Sequence, residues 1–261
     1  MRGRNAGGET GIPGGVRTLK LTLAYDGTRF VGWQRQAEGE SIQALLEDAL
    51  ARFEGSPVTV HGAGRTDAGV HALGQVASVR LAAPHDAATL VRALNAQLPP
   101  ELRVLSVEEA APDFHARFSA RAKTYRYQLR TAPIANPFTR LYEWHVPEPL
   151  NLEAMIQGAA ALIGSHDFAA FQSAGGETST TVRTITRAEW RMLEGGPLAL
   201  ELTGDGFLRH MVRAVAGTLV EIGRGWRQAS EIAGLLNGGR RADAGATAPP
   251  HGLFLVSVDY D

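Results

Sequence analysis

A chain of 261 residues, 44% hydrophobic and 20% charged, is long enough for one large domain or two modest ones and has a globular rather than a disordered composition. It has no cysteine, which excludes disulfides, thiolate-bound zinc, iron–sulfur clusters and a cysteine nucleophile. A net charge of −1 excludes a histone-like polycation, and the most apolar stretch, 211–222, is broken by Arg213 and Glu221 and is too short to span a bilayer.

Residues 1–15 carry Arg2 and Arg4 with no apolar segment behind them, so they read as a flexible glycine-rich tail and not a signal peptide; the expected location is the cytoplasm. Residues 16–25 alternate apolar and polar (Leu19, Leu21, Leu23), which predicts a strand ending at Asp26-Gly27. Ser41 fits an N-cap for a helix to about Phe53, with Ile42, Leu45, Leu46, Ala49 and Leu50 on one face. A short strand over 58–61, a glycine-rich loop, a strand over 75–81, a helix over 86–98 stopped by Pro99-Pro100, and a strand over 102–110 follow. The order β-α-β-β-α-β over 16–111 is that of a split βαβ, or ferredoxin-like, unit.

The second half, 112–261, opens with an alternating strand over 123–130. A helix is expected over 152–163, a polar loop over 165–181, strands over 182–193 and 198–202, helices over 207–222 and 229–236, and a closing strand over 253–258. Two α+β halves of similar order can join their sheets and leave a cleft between them. No sequence repeat is visible, so this duplication rests on element order alone.

Of the 26 basic residues only Lys20 and Lys123 are lysine; the rest are arginine. Compositional bias accounts for most of that, since alanine and glycine are also abundant, yet arginine grips phosphates bidentately and stacks on bases. Between Asp113 and Arg140, six basic residues (Arg117, Arg121, Lys123, Arg126, Arg130, Arg140) stand against one acid, a local charge of +5, interleaved with Phe114, Phe118, Tyr125, Tyr127 and Phe138. Such a run suits single-stranded nucleic acid. A solvated strand face is the commoner origin of a charge run taken alone.

The segment richest in chemistry is Gly62-Ala63-Gly64-Arg65-Thr66-Asp67-Ala68-Gly69-Val70-His71, in which glycines bracket an Arg-Thr-Asp unit. Glycine permits tight backbone and close approach of a ligand, so the loop holds one carboxylate, Asp67, at a fixed place. It lacks the Gly-Lys-Ser/Thr ending of a phosphate-binding P-loop and the glycine spacing of a dinucleotide site. An aspartate in a glycine loop most often caps its own turn.

The wider pattern is more specific. Together with Tyr25-Asp26-Gly27-Thr28 and Gly32-Trp33-Gln34-Arg35-Gln36, the decapeptide resembles the tRNA pseudouridine synthase A family. The resemblance continues through residues 113–120 (Asp-Phe-His-Ala-Arg-Phe-Ser-Ala), Tyr125-Arg126-Tyr127, His166-Asp167-Phe168, residues 206–213 (Gly-Phe-Leu-Arg-His-Met-Val-Arg) and Gly252-Leu253-Phe254-Leu255. It implies an α+β fold of two ferredoxin-like (split βαβ) halves joined into one mostly antiparallel sheet, with helices on one face and a central cleft. It also implies a homodimer that needs no metal or organic cofactor and acts on uridines 38 to 40 of the tRNA anticodon stem-loop. By the same resemblance Asp67 is the catalytic nucleophile and Tyr125 packs on the target base.

The chemistry of individual residues agrees with that reading. Making pseudouridine breaks a C–N glycosidic bond and forms a C–C bond, with no redox step. A carboxylate used as nucleophile or base must be ionised; burial favours the neutral form and a neighbouring guanidinium opposes that. Arg213 is expected in this role by family analogy, and its place in an apolar run favours burial with a partner. A base inside a stem must be flipped out at a cost of a few kcal/mol, and Arg65 can fill the vacated stack or equally make a plain phosphate contact or a loop salt bridge. Tyr125 offers a ring for the uracil, although an aromatic at an alternating strand position is more often core; Tyr127 has the same parity. Leu253 is expected either as the far wall of the base pocket or, slightly more readily, as core.

Other residues stay open at this level. His61 and His71 flank the loop, but no third ligand stands at metal spacing. His115 and His210 read as structural or RNA-facing, and Trp33 with 34–36 as facing RNA or a dimer partner. Residues 173–180 match the family pattern poorly. Two competing readings remain: a non-catalytic RNA binder of RRM-like halves, which lacks an RNP-type aromatic pattern, and a glycoside hydrolase using Asp67 and Asp205.

Overall fold

β1 (Arg17–Tyr25) forms where the alternation places it, with Leu19, Leu21, Leu23 and Tyr25 buried on one face. The computed structural model describes residues 15–175 and 178–261, so all of the expected tail but Gly15 lies outside the described residues. α1 (Ile42–Glu54) is capped by Ser41, whose hydroxyl accepts from Ala44 N–H, and ends at Gly55 in the left-handed conformation (φ 73°). β2 (His61–Gly62), β3 (His71–Leu81), α2 (Ala87–Gln97, capped by Asp86) and β4 (Leu102–Ala110) complete the first half.

The second half contains β5 (Ala122–Arg130), β6 (Trp144–His145), α3 (Leu152–Ala160), β7 (Gly164–Asp167), β8 (Val182–Met192), β9 (Leu198–Gly204), α4 (Met211–Gly223), α5 (Glu231–Leu236) and β10 (Leu253–Asp259). The strands form one sheet in the order β4-β1-β3-β10-β5-β9-β8-β7, with β2 against β3 and β6 against β5. Pairings are antiparallel except β3–β10 and β5–β6. Leaving aside the short strands β6 and β7, the order within each half is the same: fourth strand, first, third, second (β4-β1-β3-β2 and β10-β5-β9-β8). The fold is thus α+β with a mostly antiparallel sheet, and its strand order is consistent with two split βαβ units.

β10 is the seam. Leu255 pairs with Ala72 of β3 on one side and Tyr125 of β5 on the other. Gly74 makes the approach possible, because a Cβ there would lie 2.5 Å from the Val256 carbonyl oxygen. One continuous core then runs through both halves, joining Leu46 and Leu50 of α1, Leu90 and Leu94 of α2, Leu219 of α4 and the inward residues of the sheet. Among the described residues no helix is long and apolar enough to cross a membrane.

Several boundaries differ from the sequence expectation. The strand expected at 75–81 begins at His71, and the one expected at 58–61 is the two-residue β2. The segment 165–181, expected as a loop, begins with edge strand β7 and a 3-10 turn, Ala169–Phe171. β7 escapes a period-2 reading because its Ser165 and His166 lie on an edge, while the burial is done by Phe168, Ala170 and Phe171 just after it. The helix expected from Phe207 starts at Met211, because His210 takes a left-handed conformation (φ 62°) that interrupts it.

Candidate active site

The Asp67 loop spans β2 and β3 and is fixed from below. Thr66 Oγ1 is 2.8 Å from the buried Tyr25 hydroxyl, and Gln75 Nε2 donates to the Gly64 carbonyl at 2.9 Å. Trp33 N–H donates to the Thr66 carbonyl at 3.0 Å. A Cβ on Gly62 would lie 2.4 Å from the Trp33 ring, so only glycine lets the loop close over that indole. The Gly32–Gln36 block therefore buttresses the loop: Trp33 is buried, and Arg35 is held by Glu47 and Asp48 of α1. At the loop's end the buried His71 accepts from Gly27 N–H through Nδ1 and donates through Nε2 to the Leu141 carbonyl, 3.0 Å away. Burial pushes His71 below its ordinary pKa, which keeps this neutral tautomer.

The loop presents the Asp67 carboxylate partly to solvent, its side chain 33% exposed. Oδ2 accepts from Arg213 Nη1 at 3.2 Å. Arg213 stands in the first turn of α4, and its Nε donates to the Ala248 carbonyl at 2.8 Å, so the guanidinium is clamped from behind. The structure thus brings together Asp67 and Arg213, which are far apart in the chain.

A second cationic-type neighbour was not singled out by sequence. His210 Nε2 is 3.4 Å from the same Asp67 oxygen, and its Nδ1 is 2.9 Å from Ser173 Oγ. Burial pushes the His210 pKa down; Asp67 opposes this, and Arg213, Arg209 and Arg241 reinforce it. A neutral ring with Nε2–H toward Asp67 and Nδ1 accepting from Ser173 satisfies both contacts. His210 is the one non-glycine residue with positive φ among the described residues, and backbone of this kind is characteristic of functional sites. Nothing in the periodicity signals it, because the turn that aims the ring is what breaks the helical pattern.

Tyr125 lies on β5 with its ring edge-on to Phe207, centroids 4.9 Å apart. Its hydroxyl is 3.6 Å from where a Gly64 Cβ would stand. Burial, then the neighbouring Tyr25 and the Asp67 charge, push its phenol well above the ordinary range, so it stays protonated. Both tyrosines belong to the buried core; Tyr125 keeps a small exposed fraction (7%), whereas Tyr127, of the same parity, is fully buried and its hydroxyl donates to the Pro249 carbonyl at 2.8 Å. Leu253 is buried on β10 directly opposite Tyr127. Arg65 is exposed beside Asp67 and makes no side-chain hydrogen bond or ion pair among the described residues.

Asp205 accepts from Thr184 N–H at 3.0 Å and does not pair with Asp67. His61 and His115 stack on each other, centroids 4.8 Å apart, and no cluster of metal-ligating side chains occurs among the described residues. The arrangement is a single fixed carboxylate with cationic and imidazole support, beside a protonated aromatic and an unpaired guanidinium. That set suits attack on, or proton removal from, a nucleoside placed between Asp67 and Tyr125.

Comparison with known proteins is in keeping with this geometry. The family described as tRNA pseudouridine synthase matches residues 22–119 and 159–261. The chain is similar to the tRNA pseudouridine synthase A of Pelobacter propionicus, 44% identical over 245 residues that make up 94% of this chain and 100% of the relative. It is similar to the protein of that name from Myxococcus xanthus, 46% identical over 242 residues, 93% of this chain and 91% of the relative. Among solved structures, a Cbf5-Nop10-Gar1 complex aligns with 91% of this chain and 48% of its own at a TM-score of 0.35 and 11% identity. With a family match over most of its length and such relatives along nearly all of it, the chain belongs to the tRNA pseudouridine synthase family.

Proposed function

We propose that this chain converts uridine to pseudouridine at positions 38, 39 and 40 of the tRNA anticodon stem-loop, with Asp67 as the nucleophile acting on a flipped-out uridine. The observation that carries the reading is the Asp67 carboxylate, open to solvent on one side and held on the other by Arg213 Nη1 at 3.2 Å.

In this reading the halves 16–111 and 112–261 supply opposite walls of the cleft, the first bringing Asp67 and the second Tyr125 and Arg213. The reaction breaks the C1′–N1 bond, turns the uracil and joins C1′ to C5; the C5 hydrogen leaves to solvent as a proton and N1 takes one up, so there is no net redox change and no cofactor or metal is called for. Tyr125 stacks on the uracil, an interaction worth ~1–3 kcal/mol for a base on an aromatic ring. Arg65, exposed and unpaired among the described residues, fills the gap left in the stem. Arg213 orients the carboxylate through its Nη1 hydrogen bond, and Leu253 closes the pocket on the β10 side. The enzyme acts as a cytoplasmic homodimer on tRNA.

Asp67→Asn tests it in a tritium-release assay on 5-tritiated uridine in tRNA. The expected result is loss of turnover with tRNA binding nearly unchanged; near-wild-type turnover would remove Asp67 from the chemistry.

A further inference from the structure

Lys123 is one of two lysines in the chain, and the two are treated very differently. Lys20 faces Glu108 at 3.6 Å, whereas Lys123 makes no hydrogen bond or ion pair among the described residues. Its basic neighbours along β5 and just before it are all matched: Arg121 to Asp261, Arg126 to Glu201 and Arg130 to Glu143. Lys123 is half-buried, and the charges acting on it are those of Arg117 and Arg183, both positive. Neither of those two has a carboxylate partner among the described residues.

The placement is specific. Lys123 and Tyr125 lie two apart on β5 and so share a face. Both reach the same point on the Asp67 loop: Lys123 Nζ is 3.8 Å and Tyr125 Oη 3.6 Å from where a Gly64 Cβ would be. Across the sheet Lys123 pairs with Gly204, which pairs with Ile185, and Arg183 is two residues further along β8. Arg183 runs beside Gly206, its Nε 3.3 Å from a Cβ position there. Arg117 comes from the turn whose Ala116 N–H is tied to Ser78 Oγ, opposite His61 of β2.

We propose that Lys123, with Arg117 and Arg183 beside it, is a phosphodiester subsite that grips the RNA backbone next to the target nucleotide. The inference rests on the proposed action on tRNA and adds to it a contact that touches no atom of the base. A half-buried ammonium between two guanidinium groups is unfavourable without an anion, and burial together with those two charges pushes its pKa down to about 8. A phosphate arriving there supplies a counter-charge that no carboxylate among the described residues provides. Three cations from β5, β8 and the 115–119 turn also match a diester, whose unesterified oxygens leave the phosphorus in different directions.

The test compares wild type, Lys123→Met and Lys123→Arg for binding of unmodified tRNA between 50 and 300 mM salt. Losing one phosphate contact lowers the slope of log affinity against log salt by about 0.7–0.9, which amounts to roughly five- to eightfold weaker binding at 0.1 M. Lys123→Met should show that loss, and Lys123→Arg should restore the slope. A second arm repeats the comparison with an anticodon stem-loop carrying one neutral methylphosphonate at each linkage flanking the target in turn; at the contacted linkage, Lys123→Met should bind no worse than wild type. Unchanged salt slope in a folded Lys123→Met protein, or a Lys123→Met penalty that persists at every neutral linkage, overturns the proposal. Wild-type protein that forms no pseudouridine would instead overturn the proposed function, so the two failures are distinguishable.

Discussion

His210 Nε2 and Arg213 Nη1 converge on one oxygen of Asp67, Oδ2, at 3.4 and 3.2 Å. That leaves Oδ1 as the oxygen without a side-chain partner among the described residues, the one the proposed reaction would use. Both donors come from the entry to α4, so a single backbone turn sets the direction of the carboxylate.

His210 should therefore govern the acid side of the pH profile. Its pKa is lowered by burial, so the ring is neutral at pH 7 and gains a proton only below the ordinary 6.5. A proton on Nδ1 removes the acceptor for Ser173 and places a second full cation, with Arg213, on the Asp67 oxygen. kcat/KM should fall as pH drops through that range. His210→Gln keeps an N–H donor but does not titrate, so its acid limb should move to lower pH, and a pH series on the two proteins checks this.

Arg213→Lys should be poorly tolerated although it keeps the charge. Lysine cannot donate to Ala248 through one nitrogen and to Asp67 through another, so the clamp is lost. A displaced catalytic group typically lowers turnover about 10²-fold. The expected result is a fall in kcat of that order with KM little changed, measured by steady-state kinetics on tRNA.

Tyr125→Phe and Tyr125→Ala should separate ring from hydroxyl. The hydroxyl makes no hydrogen bond among the described residues, so the phenylalanine variant should bind and turn over much as wild type does. The alanine variant loses the ring and should forfeit ~1–3 kcal/mol of kcat/KM.

His71 makes stability depend on pH. The unfolded chain takes up a proton near 6.5, whereas the buried ring resists it, so below 6.5 the unfolded state binds more protons and stability falls as pH falls. Above 6.5 this contribution is fully present. Thermal melts at pH 5.5 and 7.5 should differ, and His71→Asn should narrow the difference while lowering both midpoints, because Gly27 and Leu141 lose their partner.

Gly62→Ala tests the buttress under the loop. The added methyl meets the Trp33 ring at 2.4 Å, and overpacking of this kind typically costs ~1–3 kcal/mol. A lowered melting temperature is expected, together with reduced activity, since the Trp33 contact carries the backbone of Thr66 next to Asp67.

The sequence displays those features that repeat or that sit close together along the chain. The alternation of Leu19, Leu21 and Leu23, the Ser41 cap and the glycines around Asp67 are all local, and each is found in the structure where it was expected. The resemblance carried Arg213 to its place beside Asp67, which no local pattern could do. The sequence leaves His210 as structural or RNA-facing, and its approach to Asp67 is not legible because its left-handed backbone breaks the helical pattern around it. β7 was missed because an edge strand of four residues with polar side chains has no alternation to read. The isolation of Lys123 is invisible in one dimension, since its neighbours Arg121 and Arg126 look the same until their carboxylates arrive from Asp261 and Glu201.

β10 lies between β3 and β5 in the sheet. The strand that follows the Asp67 loop and the strand that carries Tyr125 are not paired with each other; each pairs with β10, β3 at Phe254 and Leu255 and β5 along 253–259. β10 is also an element of the second half, so the first half can fold without it, whereas the second half and the join between β3 and β5 are complete only once 253–259 slots in. Zipping it in closes contacts of very long sequence separation, the slowest kind to form, so capacity to modify RNA should emerge as the final event of maturation.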